Sequence, residues 1–195
     1  MPRNDLCELV FILDESGSMS GLEDDTVGGY NAVLREHREL PGDATVSTVL
    51  FDNRARVLHD RIPIADVRDM KRKDYRPGGC TALLDAVGGA ISYHKAIQRA
   101  LPDGYRAGHV IFVIVTDGYE NASRRYSYPE VKRLIEERRE SGWEFLFLAA
   151  NIDVAGEADK LGFDRDCAFS YDATPEGLSE MYDTIRCASA AIRAD

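Results

Sequence analysis

Three short apolar runs alternate along the chain with longer segments of helical periodicity. The runs cover residues 6–13, 109–116 and 143–150, and each is rich in aliphatic or aromatic residues. Predominantly apolar runs of this length are typical of strands that are buried on both faces, as in a parallel sheet. They predict the central strands of an α/β domain.

Four segments place apolar residues at three- and four-residue steps, which predicts amphipathic helices. These segments cover residues 22–40, 81–101, 129–141 and about 175–192. Proline or glycine stands at their boundaries, as at Pro102 after the second helix and at Pro129 where the third begins.

Residues 45–51 and 55–62 predict two further strands, joined by a turn short enough for an antiparallel pair, with the second strand at the sheet edge. A weaker strand is predicted at residues 167–171. The alternation predicts a single domain over residues 1–195: a doubly wound, mostly parallel six-stranded sheet with one antiparallel edge strand and helices on both faces.

The net charge and the cysteines limit the possible binding partners and the cellular location. A formal net charge of -10 argues against binding to nucleic acid or to an anionic membrane surface. The apolar run from Leu9 to Leu13 is too short for a signal-peptide core or a membrane span. Four scattered cysteines without CxxC spacing suggest neither a zinc site nor a disulfide framework. These features favour a cytoplasmic location.

Two aspartates follow buried strands at the points where ligands bind in doubly wound sheets. Asp14 ends the first apolar run and Asp117 follows the run at 109–116. In the common strand order these two strands are neighbours, so both carboxylates are expected in one crevice. Two close carboxylates repel, and neither is adjoined by lysine or arginine, so a proton or a cation must lie between them.

Hydroxyl groups are predicted to reach the same crevice. Ser16 and Ser18 lie on the loop after Asp14, and Thr81 follows a glycine-rich loop where a helix opens. Hydroxyl and carboxylate oxygens are hard ligands, and together with water they suit Mg²⁺, Mn²⁺ or Ca²⁺. The sequence therefore predicts one divalent cation, with Mg²⁺ favoured.

These pieces carry a resemblance to a known family. The DESGS of the first loop, the threonine of GGCTALLDA and the TDG of VIVTDGYEN resemble the metal-ion-dependent adhesion site of von Willebrand factor type A (VWA) domains. The three motifs occur in family order, and the predicted strands and helices match over nearly the whole chain. The chain is most similar to stand-alone bacterial domains of this type.

The resemblance implies a role for each matching residue. Ser16 and Ser18 would coordinate the cation through their hydroxyls, Thr81 would bind directly or through water, and Asp14 and Asp117 would supply the charge. One coordination position would stay open for a carboxylate, an Asp or Glu of a partner protein. The chain would then be a protein-interaction module and not an enzyme, with its oligomeric state undetermined.

Several plainer interpretations stand beside this one. The two serines alone could be helix caps. Glu120 is predicted to face solvent, with donation to the metal or completion of the site in a neighbouring molecule as the alternatives. The densest basic segment, Arg68 to Arg76, is predicted to be a solvated loop. If it were instead the docking surface, the cation would be structural and the chain a scaffold.

Hydrolysis is the least favoured alternative. A nucleophilic serine needs a base within reach, and no GxSxG elbow surrounds any serine. The helical histidines, His37 and His94, fall on predicted apolar faces, while His59 lies on the edge strand and His109 at the far end of its strand from Asp117. Metal-assisted hydrolysis remains only as a third hypothesis.

Overall fold

The computed structural model describes residues 2–194, which form one six-stranded sheet flanked by five α-helices. In chain order the elements are β1 (Arg3–Asp14), α1 (Glu23–Glu39), β2 (Asp43–Phe51), β3 (Ala55–Pro63), α2 (Leu83–Ala100), β4 (Ala107–Thr116), α3 (Tyr128–Arg139), β5 (Glu144–Ala149), α4 (Val154–Leu161), β6 (Ala168–Ser170) and α5 (Pro175–Ala194).

The strand order is β3-β2-β1-β4-β5-β6. All neighbours pair in parallel except β2 and β3, which are antiparallel and place β3 at one edge. The predicted fold class is therefore confirmed, including the antiparallel edge strand.

Each central strand contributes side chains to two cores. Along β4, Phe112 and Ile114 pack towards α2, α3 and α4, whereas Ile111 and Val113 pack towards α1 and α5. This alternation follows from the two-residue period of a strand and explains why the run is apolar throughout. None of the described helices is both long enough and apolar enough to span a bilayer.

The structure adds one helix that the sequence pattern did not predict. Helix α4 has only eight residues, with Asp153 capping its first turn through a hydrogen bond from Gly156 N, and it ends at Gly162, whose φ is +81°. Its apolar stripe consists of the buried Ala158 and Leu161, with Val154 partly buried against the same core. So short a stripe carries little periodic signal, which is why the pattern missed it.

The strand order reverses between β1 and β4. From β1 the chain passes through α1 to β2 on one side, and β4 leads on through α3 to β5 on the other. Neighbouring parallel strands whose connections diverge leave a crevice at their carboxyl ends. Asp14 is the last residue of β1, and Asp117 directly follows β4.

Candidate metal centre

The two predicted aspartates lie together at the carboxyl ends of β1 and β4. Asp14 is 1% exposed and Asp117 is 2% exposed. Their shared location follows from the pairing of β1 with β4, in which Leu13 lies opposite Val115.

Asp14 has partners for both carboxylate oxygens. Ser16 N donates to its Oδ1 at 2.7 Å, and Thr116 Oγ1 donates to its Oδ2 at 2.7 Å. These bonds orient the carboxylate and tie the loop after β1 to the end of β4.

The hydroxyls of both loop serines face Asp117. Ser18 Oγ donates to Asp117 Oδ1 at 2.6 Å, and Ser16 Oγ lies 3.4 Å from the same oxygen and 3.1 Å from Ser18 Oγ. Neither serine caps a helix with its side chain: Ser16 precedes a 3-10 turn without a side-chain cap bond, and the residue before α1 is Leu22. The plainer capping interpretation of the two serines is therefore wrong.

The second oxygen of Asp117 is left without a partner. Among the described residues, Asp117 Oδ2 is the only buried carboxylate oxygen that makes no hydrogen bond. An unsatisfied buried polar group costs about 1–3 kcal/mol, and more when it is charged. This unpaired oxygen beside two hydroxyls fits a cation that binds oxygen ligands.

Burial also acts on the ionisation of the pair. Loss of hydration raises the pKa of Asp14, and the neighbouring Asp117 charge raises that pKa further. Loss of hydration likewise raises the pKa of Asp117, against the hydrogen bonds from Ser18 and Ser16. Within residues 2–194 no arginine, lysine or histidine forms an ion pair with either aspartate. The site thus concentrates negative charge without a compensating side chain.

Thr81 is positioned at this crevice by the loop that follows β4. Its backbone N donates to Asn121 Oδ1 at 2.8 Å, and Asn121 N donates back to Thr81 O at 3.0 Å. A Cβ added at Gly118 would lie 3.9 Å from Thr81 Oγ1, so the hydroxyl faces the residue after Asp117. The five predicted site residues, Asp14, Ser16, Ser18, Thr81 and Asp117, thus lie at the end of β1 and on three loops that converge there.

Glu15 brings a third carboxylate near the site, and this one is neutralised. Arg56 holds both of its oxygens at 2.7 Å, and Arg76 N donates to Oε2 at 3.2 Å. The bidentate pair fixes the start of β3 against the loop after β1.

Sequence reasoning missed several supporting residues. Thr116 and Asn121 were overlooked although each stands within four residues of Asp117, and Tyr75, whose hydroxyl donates to Asp14 O, is distant in sequence. The prediction that Glu120 faces solvent is wrong, because its carboxylate accepts from the backbone N of Leu84 and from Ser123. Thr116 belongs to the TDG motif and Asn121 lies four residues after Asp117, so the motif and its flank could have indicated both, but nothing local identified Tyr75.

The candidate donors are hydroxyls as well as carboxylates. In the described part of the chain no three His, Cys, Asp or Glu side chains group together to hold a metal ion. The present cluster instead combines two carboxylates with three hydroxyls, which suits hard divalent cations and offers nothing to soft ones.

Comparisons with known proteins support the fold. No family model and no curated protein sequence matches the chain. Among solved structures, the chain resembles proximal thread matrix protein 1 from the mussel byssus, solved with a zinc-occupied MIDAS (metal-ion-dependent adhesion site) motif. The TM-score is 0.65 at 16% sequence identity, and the match covers 94% of this chain and 46% of that one. The chain therefore spans about half the length of that protein.

Two further structures are similar over most of the chain. Manganese-loaded TRAP protein of Plasmodium vivax gives a TM-score of 0.61 at 14% identity, with 94% of this chain and 74% of that one covered. The vWF domain of the pilus tip protein Mfa5 from Porphyromonas gingivalis gives 0.61 at 11% identity, with 93% and 95% covered. At these identities the likeness concerns the fold, and the chain has the fold of a VWA domain.

Proposed function

We propose that this chain is a metal-dependent protein-interaction module. One divalent cation, most suitably Mg²⁺ and alternatively Mn²⁺ or Ca²⁺, would be held by the hydroxyls of Ser16 and Ser18, with Thr81 binding directly or through water. Asp14 and Asp117 would supply the charge. When bound, the cation provides an electrophilic position that accepts a carboxylate, an Asp or Glu of a partner protein.

The observation that carries this proposal is the unpaired oxygen of Asp117. Two buried carboxylates share the crevice, two hydroxyls face the same oxygen of Asp117, and its other oxygen has no partner in the described structure. Such an arrangement is costly unless a positive ligand completes it. The metal-loaded states of the mussel and Plasmodium proteins, which share the fold, support the same assignment.

The surroundings favour binding over turnover. The rings of His37, His59 and His94 are buried and hydrogen-bonded in the interior, to Ser189, to Tyr30 and Thr48, and to Glu8 respectively. None of these rings is hydrogen-bonded to a serine of the metal loop. Hydrolysis by a serine activated through histidine is therefore not favoured.

The alternative in which the chain is a scaffold with a basic docking surface is weakened by ion pairs within that surface. Within the segment Arg68 to Arg76, Arg68 pairs with Asp74 and Arg72 pairs with Glu23 and Asp24. Arg68 and Arg72 are therefore engaged in internal contacts and are not free to bind a partner. The proposed setting is a reducing compartment such as the cytoplasm, in keeping with four free cysteines.

Thermal unfolding after exhaustive chelation, and again with Mg²⁺, Mn²⁺ or Ca²⁺, tests the metal site. A cation at about a hundred times its dissociation constant should add about 2.7 kcal/mol to the free energy of unfolding. Ser18→Ala should reduce this gain because it removes one ligand, and Asp14→Ala should abolish it. Ser20→Ala, an exposed serine two residues further on, is the matched control.

The outcome is decisive in both directions. A gain shared by wild type and Ser20→Ala, and reduced in Ser18→Ala, would support the metal site. If none of the three cations stabilises the folded wild-type chain, the proposed site is wrong.

A further inference from the structure

Three exposed cations beside the candidate metal centre make no ion pair within the described part of the chain. We call Arg54, Lys73 and Arg76 the basic rim. All three side chains are exposed, and none forms an ion pair with any residue in the range 2–194. A net charge of -10 makes unpaired positive charge at one place noteworthy, because carboxylates are abundant elsewhere on the surface.

Arg54 is joined to the metal loop through the turn between β2 and β3. The neighbouring Asn53 accepts a hydrogen bond from Cys80 N, and Gly79 O accepts one from Gly17 N at 3.2 Å. Gly79 has φ +71°, and a Cβ there would lie 2.6 Å from Asn53 Oδ1, so this close approach requires glycine. The turn is therefore linked, through Gly79 and Cys80, to the loop that carries Ser16 and Ser18.

Arg76 and Lys73 reach the same side through Glu15. Arg76 N donates to the Glu15 carboxylate, and Gly78 N donates to Glu15 O at 2.9 Å. Arg76 Nε also donates to Lys73 O at 2.8 Å, which holds these two residues together. Since Glu15 stands between Asp14 and Ser16, the rim borders the crevice.

The acidic residues nearby are already engaged. Glu15 is neutralised by Arg56, Asp74 by Arg68, and Glu23 by Arg72. Asp24 shares Arg72 with Glu23, and Asp52 accepts from the backbone N of Arg54 within its own turn, so two negative charges oppose the three cations of the rim. Positive charge therefore remains in excess next to the cation site.

We infer that the partner presents an acidic segment, in which one carboxylate reaches the cation and a second Asp or Glu contacts the basic rim. This inference rests on the proposed function. Arginine binds carboxylates through two parallel hydrogen bonds, and a local positive surface speeds encounter with an anionic segment. The rim would then select acidic sequences over isolated carboxylates.

Two blocked, labelled peptides of equal length test the inference by fluorescence anisotropy in saturating Mg²⁺. One carries a single aspartate among glycine and serine, and the other carries that aspartate followed by glutamates. We expect the acidic peptide to bind wild type about tenfold more tightly, as two exposed charge contacts allow. Arg54→Glu and Arg76→Glu should each weaken the acidic peptide several-fold more than the single-acid peptide.

Arg99→Glu is the matched control. It makes the same change in net charge on an exposed arginine near the end of α2, whose opposite end begins beside Thr81. Unfolding curves of each variant establish that the fold persists. A selective loss of acidic-peptide binding in the two rim variants, without that loss in Arg99→Glu, supports the inference.

The contrary outcomes distinguish a failure of this inference from a failure of the proposed function. If both peptides bind equally and the rim variants match Arg99→Glu, the rim is not used, and the metal–carboxylate proposal stands. If Mg²⁺ stabilises the chain and neither peptide binds, both proposals fail. If the acidic peptide still binds after chelation, the rim has a metal-independent role. If a single-stranded oligonucleotide binds more tightly than the acidic peptide, the rim binds nucleic acid. Either result overturns the inference.

Discussion

Two adjacent glycines in α1 show how differently neighbouring residues of one helix are constrained. A Cβ added at Gly29 would lie 2.1 Å from Cδ2 of Tyr182, a buried residue of α5. A Cβ added at Gly28 would meet nothing within 4 Å. Gly29 therefore lets α5 approach α1 closely, whereas Gly28 has no such packing role.

Alanine substitution at these two positions should have opposite effects. Gly29→Ala forces the ring of Tyr182 to move and should lower the free energy of unfolding by about 1–3 kcal/mol. Gly28→Ala should raise it by up to about 1 kcal/mol, because alanine restricts the unfolded chain and favours helix. Urea denaturation of both variants measures the difference, and equal midpoints would contradict the packing assigned to Gly29.

At the scale of elements, α1 and α5 are joined by a buried histidine. His37 Nε2 lies 2.8 Å from Ser189 Oγ, whose own proton is donated to Ile185 O at 2.6 Å. Nε2 must therefore carry a proton, which leaves Nδ1 as the acceptor facing Arg193 at 3.3 Å. Burial, together with the smaller effect of the Arg193 charge, lowers the pKa of His37 to about 4.

The buried His37 should make the free energy of unfolding depend on pH. The folded pKa of His37, about 4, lies below the ordinary value of 6.5, so the unfolded chain takes up the proton first. The stabilisation is fully present above about pH 6.5 and falls as the pH is lowered towards 4, by about 3 kcal/mol in all.

Comparison with His37→Gln isolates that contribution. Both proteins carry the same carboxylates, so the difference between their unfolding free energies should shrink as the pH falls from about 7 to about 4.5. Chemical denaturation at several pH values measures it. A difference that stays constant with pH would show that His37 is not held neutral in the fold.

The helices and strands that the sequence predicted are those with the strongest repeat of apolar residues. The long helices and the buried strands were found because their apolar spacing repeats over several turns or over a whole strand. Their bounds differed by a few residues, as with β1, which begins at Arg3, and β6, which is only Ala168–Ser170. Helix α4 was missed because eight residues offer too little repetition.

At the scale of the whole molecule, the two hydrophobic cores lie on opposite faces of one sheet and share its strands. The tryptophan Trp143 stacks on Phe112 in the layer formed with α2 and α3. The next residue of β4, Val113, packs in the opposite layer with α1 and α5. Neither layer can lose its packing without exposing the sheet face it covers, so the two cores should unfold together.

We therefore predict one unfolding transition. Trp143 is the only tryptophan in the chain and reports on one layer, whereas far-ultraviolet circular dichroism reports on all helices. In chelator, where ligand binding adds no second equilibrium, the two signals should give the same denaturation midpoint. Separate midpoints would mean that the chain contains more than one cooperative unit.

By itself the sequence determined the alternation of strands and helices, the fold class, and the five polar residues that converge at one crevice. Those features are carried by local periodicity and by polar residues placed directly after buried strands, so neighbouring letters are enough to reveal them. Only the tertiary structure decided which groups satisfy one another: Thr116 on Asp14, Asn121 on Thr81, and Arg72 on Glu23 rather than on a partner. Hydrogen bonds and ion pairs depend on distances of a few ångströms between segments far apart in sequence, and those distances are set by packing.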